Sequence, residues 1–386
     1  MTDFAKVTLA DVLADGGTVK TGPFGTVLKA AEYAGAGVPI ISVGEVDYGS
    51  LRLRKDTPHA PVEVTERLPE YVLRAGDIVF GRKGAVDRSA WVKSSEDGWF
   101  LGSDGIRLRL PFDVNTRFFA YQFQNPTVRE WLLQHASGST MLSLNQRILE
   151  RVPLVVPARE VQDAIAEVLG ALDDKIAANT KLAETTGQLA RFVYMSMLSG
   201  ATEKPLSTTA DFVNGKAFTK GASGTGRVVV RIAELNSGIG GSTVYSDAEV
   251  DDKHVARAGD LLFAWSGSLT LHRWYRDDAI INQHIFKVIP RDGYPLWLVD
   301  QLLQSKIEHF KAVAADKATT MGHIQRRHLD EPVLVPSQVA IEANSVLMDG
   351  LWNLGLLAER ENEKLADTRN ALLPQLMSGQ LRVSDL

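Results

Sequence analysis

The sequence has no cysteine in its 386 residues. That absence excludes disulfide frameworks, thiolate zinc sites and cysteine nucleophiles together, and it permits a reducing compartment. Long apolar runs are missing as well: none approaches the roughly 20 residues of a membrane span. The opening MTDFAKVTLADVL lacks the basic start and apolar core of a secretory signal. A soluble, cytoplasmic protein without membrane contact is therefore expected. Positive charge is not in excess, since 42 Lys and Arg stand against 47 Asp and Glu, giving a net charge of −5. Taken alone, that balance argues against a nucleic-acid binder.

Catalytic signatures are also lacking. There is no GxxxxGK(S/T) phosphate loop and no HExxH pair. Asn125-Pro126-Thr127-Val128 comes nearest to the NPPY string of an amino-methyltransferase, but it lacks the second proline and the aromatic. Asp173-Asp174-Lys175 and Asp251-Asp252-Lys253 carry nuclease letters, yet solvated charge accounts for them without a metal. The expectation is a chain with no catalytic residue and no metal site. Apolar mass, by contrast, is ample. A hydrophobic fraction of 45% with 23% charged residues is that of a globular protein with real cores, and the length suits two or three folding units.

The chain is written twice. RAGDIVF at 74–80 recurs as RAGDLLF at 257–263, followed in each case by a glycine, Gly84 or Gly267. PIISVGEVDYG at 39–49 answers VVVRIAELNSG at 228–238, pairing Glu45 with Glu234 and Gly49 with Gly238. Leu9 and Leu206 open stretches that lead to Gly17 and Gly215, and STM at 139–141 answers TTM at 319–321. The offset shrinks from near 197 to 179 by Pro157 and then stays fixed as far as MLSG at 197–200 and LMSG at 376–379. Loops absorb insertions, whereas a long helix in a packed seam loses its register if its length changes. Each half is thus a variable globular part followed by a length-locked helical part. The globular parts read as mixed α/β, with VPIISV, DIVF, IRLRL and HIFKVI as short strands.

In the helical parts, Ile165, Val168, Leu172, Leu182 and Leu189 follow heptad core spacing, as do Leu347, Leu351, Leu354, Leu365 and Leu372. Lys175, Asn179, Thr186 and Glu361 interrupt the two stripes. Two such helices are expected to pack on each other, each about 60 Å long at 40 residues. On this reading Leu182→Glu should lower stability sharply.

Charge splits unevenly along the chain. Residues 1–157 hold 18 basic and 18 acidic side chains, and residues 201–336 hold 16 of each, so the whole deficit lies on the helical segments. A neutral domain can still present a basic face. The clusters Arg52, Arg54 and Lys55; Arg82, Lys83 and Arg88; Lys216 and Lys220; and Arg326, Arg327 and His328 are candidates. Ser139, Thr140, Asn145, Gln146 and Arg147 in one half answer Thr319, Thr320, Gln325, Arg326 and Arg327 in the other. Arg can fork onto guanine, Asn or Gln onto adenine, and Ser or Thr onto phosphate. Phe24, Trp265 and Ser266 complete the candidate DNA-binding set. The competing structural reading is a helix cap from Ser143 to Gln146.

These residues resemble a known family, the specificity subunit of type I restriction-modification systems. The likeness rests on TGPFG at 21–25, LRAGDIVFGRKG at 73–84, GSTMLSLN at 138–145 and VPLVVPAREVQDAIAEVLGALDDKIAANTKL at 152–182, with LLPQLMSGQL at 372–381 closing the second copy. The resemblance implies two α/β target-recognition domains (1–157 and 201–336) separated by two long helices (158–200 and 337–386) that pack as an antiparallel coiled coil, related by an internal pseudo-twofold repeat. It implies double-stranded DNA and two modification subunits as partners, with restriction or translocase subunits in addition. S-adenosylmethionine, ATP and Mg would then be carried by those partners and no cofactor by this chain. Two rival readings are a self-contained DNA-modifying enzyme and a coiled-coil adaptor without sequence preference.

Overall fold

The computed structural model describes residues 4–25, 27–316 and 322–386. The fold is mixed α/β, and the chain divides into two compact units, Met1–Asp174 with Ala366–Leu386, and Lys175–Leu365.

The first unit runs β1 (Ala5–Thr8), α1 (Leu9–Leu13), β2 (Thr18–Thr21), β3 (Val38–Ile41), β4 (His59–Ala60), α2 (Val62–Arg67), β5 (Ile78–Gly81) and β6 (Ser89–Trp91). It continues through β7 (Phe100–Leu101), β8 (Gly105–Arg109), α3 (Thr116–Gln124), α4 (Pro126–His135), α5 (Gln146–Glu150) and β9 (Pro153–Val156) into the long helix α6 (Arg159–Ser196). The second unit holds β10 (Thr202–Pro205), β11 (Ala210–Asn214), β12 (Arg227–Val230), α7 (Ile232–Ser237), β13 (Val244–Ser246), β14 (Val255–Ala256), β15 (Leu261–Ala264) and β16 (Thr270–Arg273). Next come β17 (Ala279–Ile281), β18 (Ile285–Pro290), α8 (Leu296–Asp316), β19 (Pro332–Val335) and the second long helix, α9 (Gln338–Ser378).

The repeat is visible strand by strand. β1 pairs antiparallel with β9 and β10 with β19, each closing its globular part where the long helix begins. A four-stranded sheet has the order β2-β8-β5-β6 in one unit and β11-β18-β15-β16 in the other. A second sheet is β4-β3-β7 in the first unit and β13-β12-β17-β14 in the second. The extra strand β14 has a remnant in the first unit, the single bridge between Val72 and Phe100. In each unit the parallel pair joins the strand before the repeated glutamate to a strand after the RAGD turn.

The repeated RAGD segment is a turn. Asp77 accepts the Arg74 backbone N–H at 2.8 Å and Asp260 that of Arg257 at 2.7 Å. Gly76 and Gly259 take φ of +92° and +99° at the bend, where a side chain would be strained. Each aspartate then grips a cation on the neighbouring strand, Arg109 at 2.7 Å and Lys287 at 2.7 Å. The repeated glutamates have a structural task as well. Glu45 accepts the Ser42 N–H at 3.1 Å and Glu234 the Arg231 N–H at 2.9 Å, which satisfies backbone donors at the start of a helical turn. The first unit's tight glycine is Gly22: its N–H reaches the Gly105 carbonyl at 3.0 Å, as Gly215 reaches that of Ile285 at 2.9 Å. Gly22, rather than Gly17, is thus the partner of Gly215. A Cβ at Gly22 would lie 1.8 Å from the Gly102 carbonyl oxygen, and one at Gly215 would lie 2.1 Å from that of Asn282.

Within each unit α6 and α9 pack side by side. In the first unit Ile165, Ala166 and Leu169 join Leu373, Leu376 and Met377 in one core, and Asp173 bonds Arg369 at 2.7 Å. In the second, Asn179 bonds Glu361 at 2.7 Å, Lys175 pairs with Glu361 at 3.1 Å and Thr180 meets Asn362 at 3.1 Å. From Asn179 opposite Glu361 the contacts pass to Thr186 opposite Gly355, so rising numbers on one helix meet falling numbers on the other and the pair is antiparallel.

The seam departs from the expected stripe by one residue at every second core position. Ile165 is buried and Leu172 half-buried, but the residue between them that faces inward most is Leu169, not Val168. Further along, Asn179 and Thr186 are buried while Leu182 is 37% exposed and Leu189 is exposed too; Ala183 and Ala190 lie inward in their place. On α9, Leu351, Leu365 and Leu372 are half-buried, whereas Leu347 and Leu354 are exposed and Met348 and Gly355 are buried. A 3-4 spacing and a 4-3 spacing share every other residue, and apolar content favoured the wrong one. The inward track carries Asn179, Thr186 and Gly355 because polar side chains and a glycine let the two helices meet through hydrogen bonds and close approach.

Candidate nucleic-acid interface

One structural device recurs at the end of the strand that follows the RAGD turn in each unit. After β5 the chain turns through Arg82-Lys83-Gly84 and pairs with the segment before α5. The Leu144 N–H donates to the Arg82 carbonyl at 2.8 Å, and the Gly84 N–H to that of Leu142 at 2.8 Å. After β15 the same pairing joins Trp265-Ser266-Gly267 to residues 322–324, with Ile324 N–H to Trp265 O at 3.1 Å and Gly267 N–H to Gly322 O at 2.8 Å. Gly84 and Gly267 both have positive φ, which completes the turn. A further bond ties each turn to the residue before the neighbouring strand: Arg82 N–H to Asp104 O at 2.9 Å, and Trp265 N–H to His284 O at 3.1 Å. The backbone frame is therefore shared, with Arg82, Lys83, Asp104 and Ser143 in one unit standing where Trp265, Ser266, His284 and His323 stand in the other.

What the frame displays is different. In the first unit Phe24 is exposed, and the Arg82 guanidinium stacks over its ring at 4.9 Å while donating to the Ser103 carbonyl at 3.1 Å. Lys83 pairs with Asp104 at 3.0 Å. Beside them, the Ser137–Ser143 bridge forms a hairpin whose exposed tip carries Ser139, Thr140 and Met141. In the second unit Trp265 donates from Nε1 to Asn214 at 2.8 Å, and its ring lies 5.0 Å from His284 and 6.4 Å from His323. His284 has a φ of +73°, the one positive value at a non-glycine among the described residues. A side chain held there carries local strain. Ser266 is buried at the bridge to His323.

The other candidates scatter in role. Arg88 lies over the Tyr48 ring at 5.5 Å, in a cluster that sequence reasoning missed. Arg129 stacks on the same ring at 4.1 Å, and Asp87 accepts from both Tyr48 at 3.0 Å and Arg129 at 2.7 Å. Asn145 is a helix cap, accepting the Ile148 N–H at 3.0 Å; the cap is Asn145 itself rather than Ser143. Gln146 donates to the Val19 carbonyl. Arg54, from the Arg52-to-Lys55 cluster, grips the buried Glu45 at 2.9 Å and serves the fold. Arg147, Arg326 and Arg327 are exposed and, among the described residues, paired with no carboxylate. Gln325 precedes the short helical turn that holds Arg326 and Arg327, and these line a groove with Asp211, Phe212 and Arg291. Lys216 and Lys220 are exposed in the loop after β11. Lys216 holds Gln283 through its carbonyl at 2.9 Å. Thr319 and Thr320 lie outside the described residues. Aligning the halves at the strands brings Asp104, His284, Asn214 and His323 beside the candidates, a signal present in the repeat but not in any one motif.

Among the described residues no cluster of three or more His, Asp or Glu could hold a metal ion, and no helix is long and apolar enough to cross a membrane.

Residues 1–185 match the family model for the type I restriction modification DNA specificity domain. Over 93% of its length the chain is 21% identical to the type I restriction enzyme MjaIX specificity subunit of Methanocaldococcus jannaschii, of which 90% is covered. Its fold is similar to the crystal structure of the type I restriction-modification system S subunit from M. genitalium, with a TM-score of 0.59 and 14% identity over 97% of this chain and 96% of the other.

Proposed function

We propose, for a chain that belongs to the type I restriction-modification specificity-subunit family, that its two halves read the two parts of a split, asymmetric DNA target. In this reading residues 1–157 and 201–336 are the recognition domains, and residues 158–200 and 337–386 are the helical regions that hold modification subunits. One observation carries the proposal: the two halves repeat a backbone frame but not the side chains displayed on it. Arg82 and Lys83 with Phe24 offer charged donors suited to guanine edges and phosphate. Trp265 with His284 and His323 offers an aromatic surface of indole and imidazole rings. Two different surfaces on one scaffold suit two different half-sites.

The helices supply a docking surface of their own. Leu182, Leu189, Phe192 and Met195 on α6 are exposed apolar side chains, and so are Val346, Leu354 and Leu357 on α9. Clustered exposed apolar residues mark protein interaction sites. In this proposal the docked subunits carry S-adenosylmethionine and methylate adenine, and restriction or translocase subunits bring ATP and Mg. The specificity chain binds no cofactor and contributes no catalytic group.

The test is to map methylated adenines in a host that expresses this chain with its modification subunit, before and after residues 1–157 are replaced by another recognition domain. One half of the methylated sequence should change and the other should persist. A change in both halves, or no dependence on sequence, overturns the proposal.

A further inference from the structure

The second unit keeps a side chain where the backbone would accept glycine. His284 lies between β17 and β18 at a φ of +73°, and the turn is pinned there from both sides. The Asn282 N–H donates to the Val230 carbonyl at 3.1 Å, and Asn282 Oδ1 accepts the Phe218 N–H at 3.0 Å. The Gln283 N–H reaches the Lys216 carbonyl at 2.9 Å, the His284 carbonyl accepts from the Trp265 N–H at 3.1 Å, and the Ile285 carbonyl from that of Gly215 at 2.9 Å. Four consecutive residues are thus held, which lets a strained conformation persist. None of these bonds uses the imidazole.

The ring adds little to the packing either. His284 is exposed, its ring contact is with Trp265 at 5.0 Å and 55° between planes, and among the described residues its nitrogens have no hydrogen-bond partner. Trp265 differs: it is half-buried, its Nε1–H is spent on Asn214 at 2.8 Å, and its ring stacks on Phe286 at 5.8 Å, so it forms a floor beneath the histidine. At the matching position of the first unit, the Asp104 carboxylate is taken by Lys83 at 3.0 Å. Glycine takes positive φ at no steric cost, and the same frame uses it at Gly84 and Gly267. At 284 the frame carries an open imidazole instead. The loop that pins the turn also carries Lys216 and Lys220, both exposed, cations of the kind that hold phosphates beside a base reader.

We propose that His284 is a specificity-determining residue for the second half-site, its ring N–H donating to N7 of a purine in the major groove while Lys216 and Lys220 hold flanking phosphates. Adenine and guanine both present N7 as an acceptor in that groove, so the contact selects purine over pyrimidine at one position. The inference rests on the reading of residues 201–336 as a recognition domain, and adds to it the residue and the class of base.

The test maps the sequences around methylated adenines in a host that expresses the full chain with its modification subunit. His284→Gly keeps the backbone conformation and deletes the ring. One position of the second half-site should then lose its purine preference by at least about tenfold, while the first half-site and the other positions persist. The melting temperature of this variant should stay within about 2 °C of the parent or rise, because a strained residue has been replaced by one that fits. His284→Asp, the first unit's residue, tolerates the same backbone but when ionised can only accept, so methylation of the parental target should fall at least about tenfold. An unchanged second half-site in His284→Gly overturns the inference, and a sharp drop in melting temperature without a change of target assigns the ring to packing. If methylation by the parent chain followed no split target, the recognition reading itself would fail and this inference with it.

Discussion

Glu45 and Glu234 sit at the same point of the repeat, and each is buried with an arginine as its counter-ion, although the two arginines come from different places. Arg54 reaches Glu45 from nine residues downstream and Arg231 reaches Glu234 from three residues upstream, at 2.9 and 2.6 Å. The carboxylate is fixed by the helical start it caps; the cation is whatever the local loop can supply. Glu45→Ala should therefore cost about 2–4 kcal/mol in a urea melt, the sum of a lost cap and lost charged hydrogen bonds. Arg54→Ala should cost less, because Arg54 is largely exposed and the cap survives. His254 makes the opposite case. Burial, then Lys216 and Lys253, push its pKa down, with Asp251 opposing, and neither ring nitrogen has a hydrogen-bond partner among the described residues. When folded it takes up a proton only at a lower pH than the unfolded chain, which does so below about pH 6.5. Its contribution is thus fully present above that pH and is lost as pH falls through it. His254→Phe should flatten the acid slope of stability between about pH 7 and 5. An unchanged slope would place the titration elsewhere.

At the scale of elements, sequence showed which helices exist and where they pair, because a fixed offset of 179 and an apolar period both survive in one chain. It misjudged which residues face inward. Heptad spacing leaves two phases open that share half their positions, and choosing the more apolar phase assumes that the outer face is polar. Here the outer face carries leucines, and the inner one carries Asn179, Thr186 and Gly355. Adjacent residues on α9 separate the two phases. Met348 is 1% exposed and Leu347 is 48% exposed. Met348→Ala should destabilise by about 2–5 kcal/mol, as truncations of buried residues do, and Leu347→Ala by under about 0.5 kcal/mol. Equal losses would restore the stripe read from sequence. The strand ends were legible for the same reason as the helices, since RAGD turns and buried strands follow local rules. The display of Trp265, His284 and His323 on one frame was not, because it depends on non-local pairings, Trp265 with His284 and with Ile324.

For the whole molecule, charge is less informative than the placement of apolar groups. The deficit of five lies on the helical segments, and so do the exposed Leu182, Leu189, Leu347, Leu354 and Leu357. An antiparallel pair that spent these side chains on its own seam would have nothing left to offer a partner. A pair that seals itself with asparagine, threonine, alanine and glycine keeps an apolar face free, and retaining such a face without a use would invite aggregation. Leu182→Glu combined with Leu189→Glu separates these roles. Because both side chains lie outside the seam, the melting temperature should stay within about 2 °C of the parent, consistent with the small effects of surface substitutions. Affinity of the isolated chain for its target DNA should also be unchanged, since no recognition residue is touched. Co-purification with the modification subunit, and methylation of the target in cells, should fall at least about tenfold, since a buried charge at an apolar interface costs more than 1.4 kcal/mol. A sharp drop in melting temperature would instead return Leu182 and Leu189 to the seam, and intact docking would place the partner on another face of the helices.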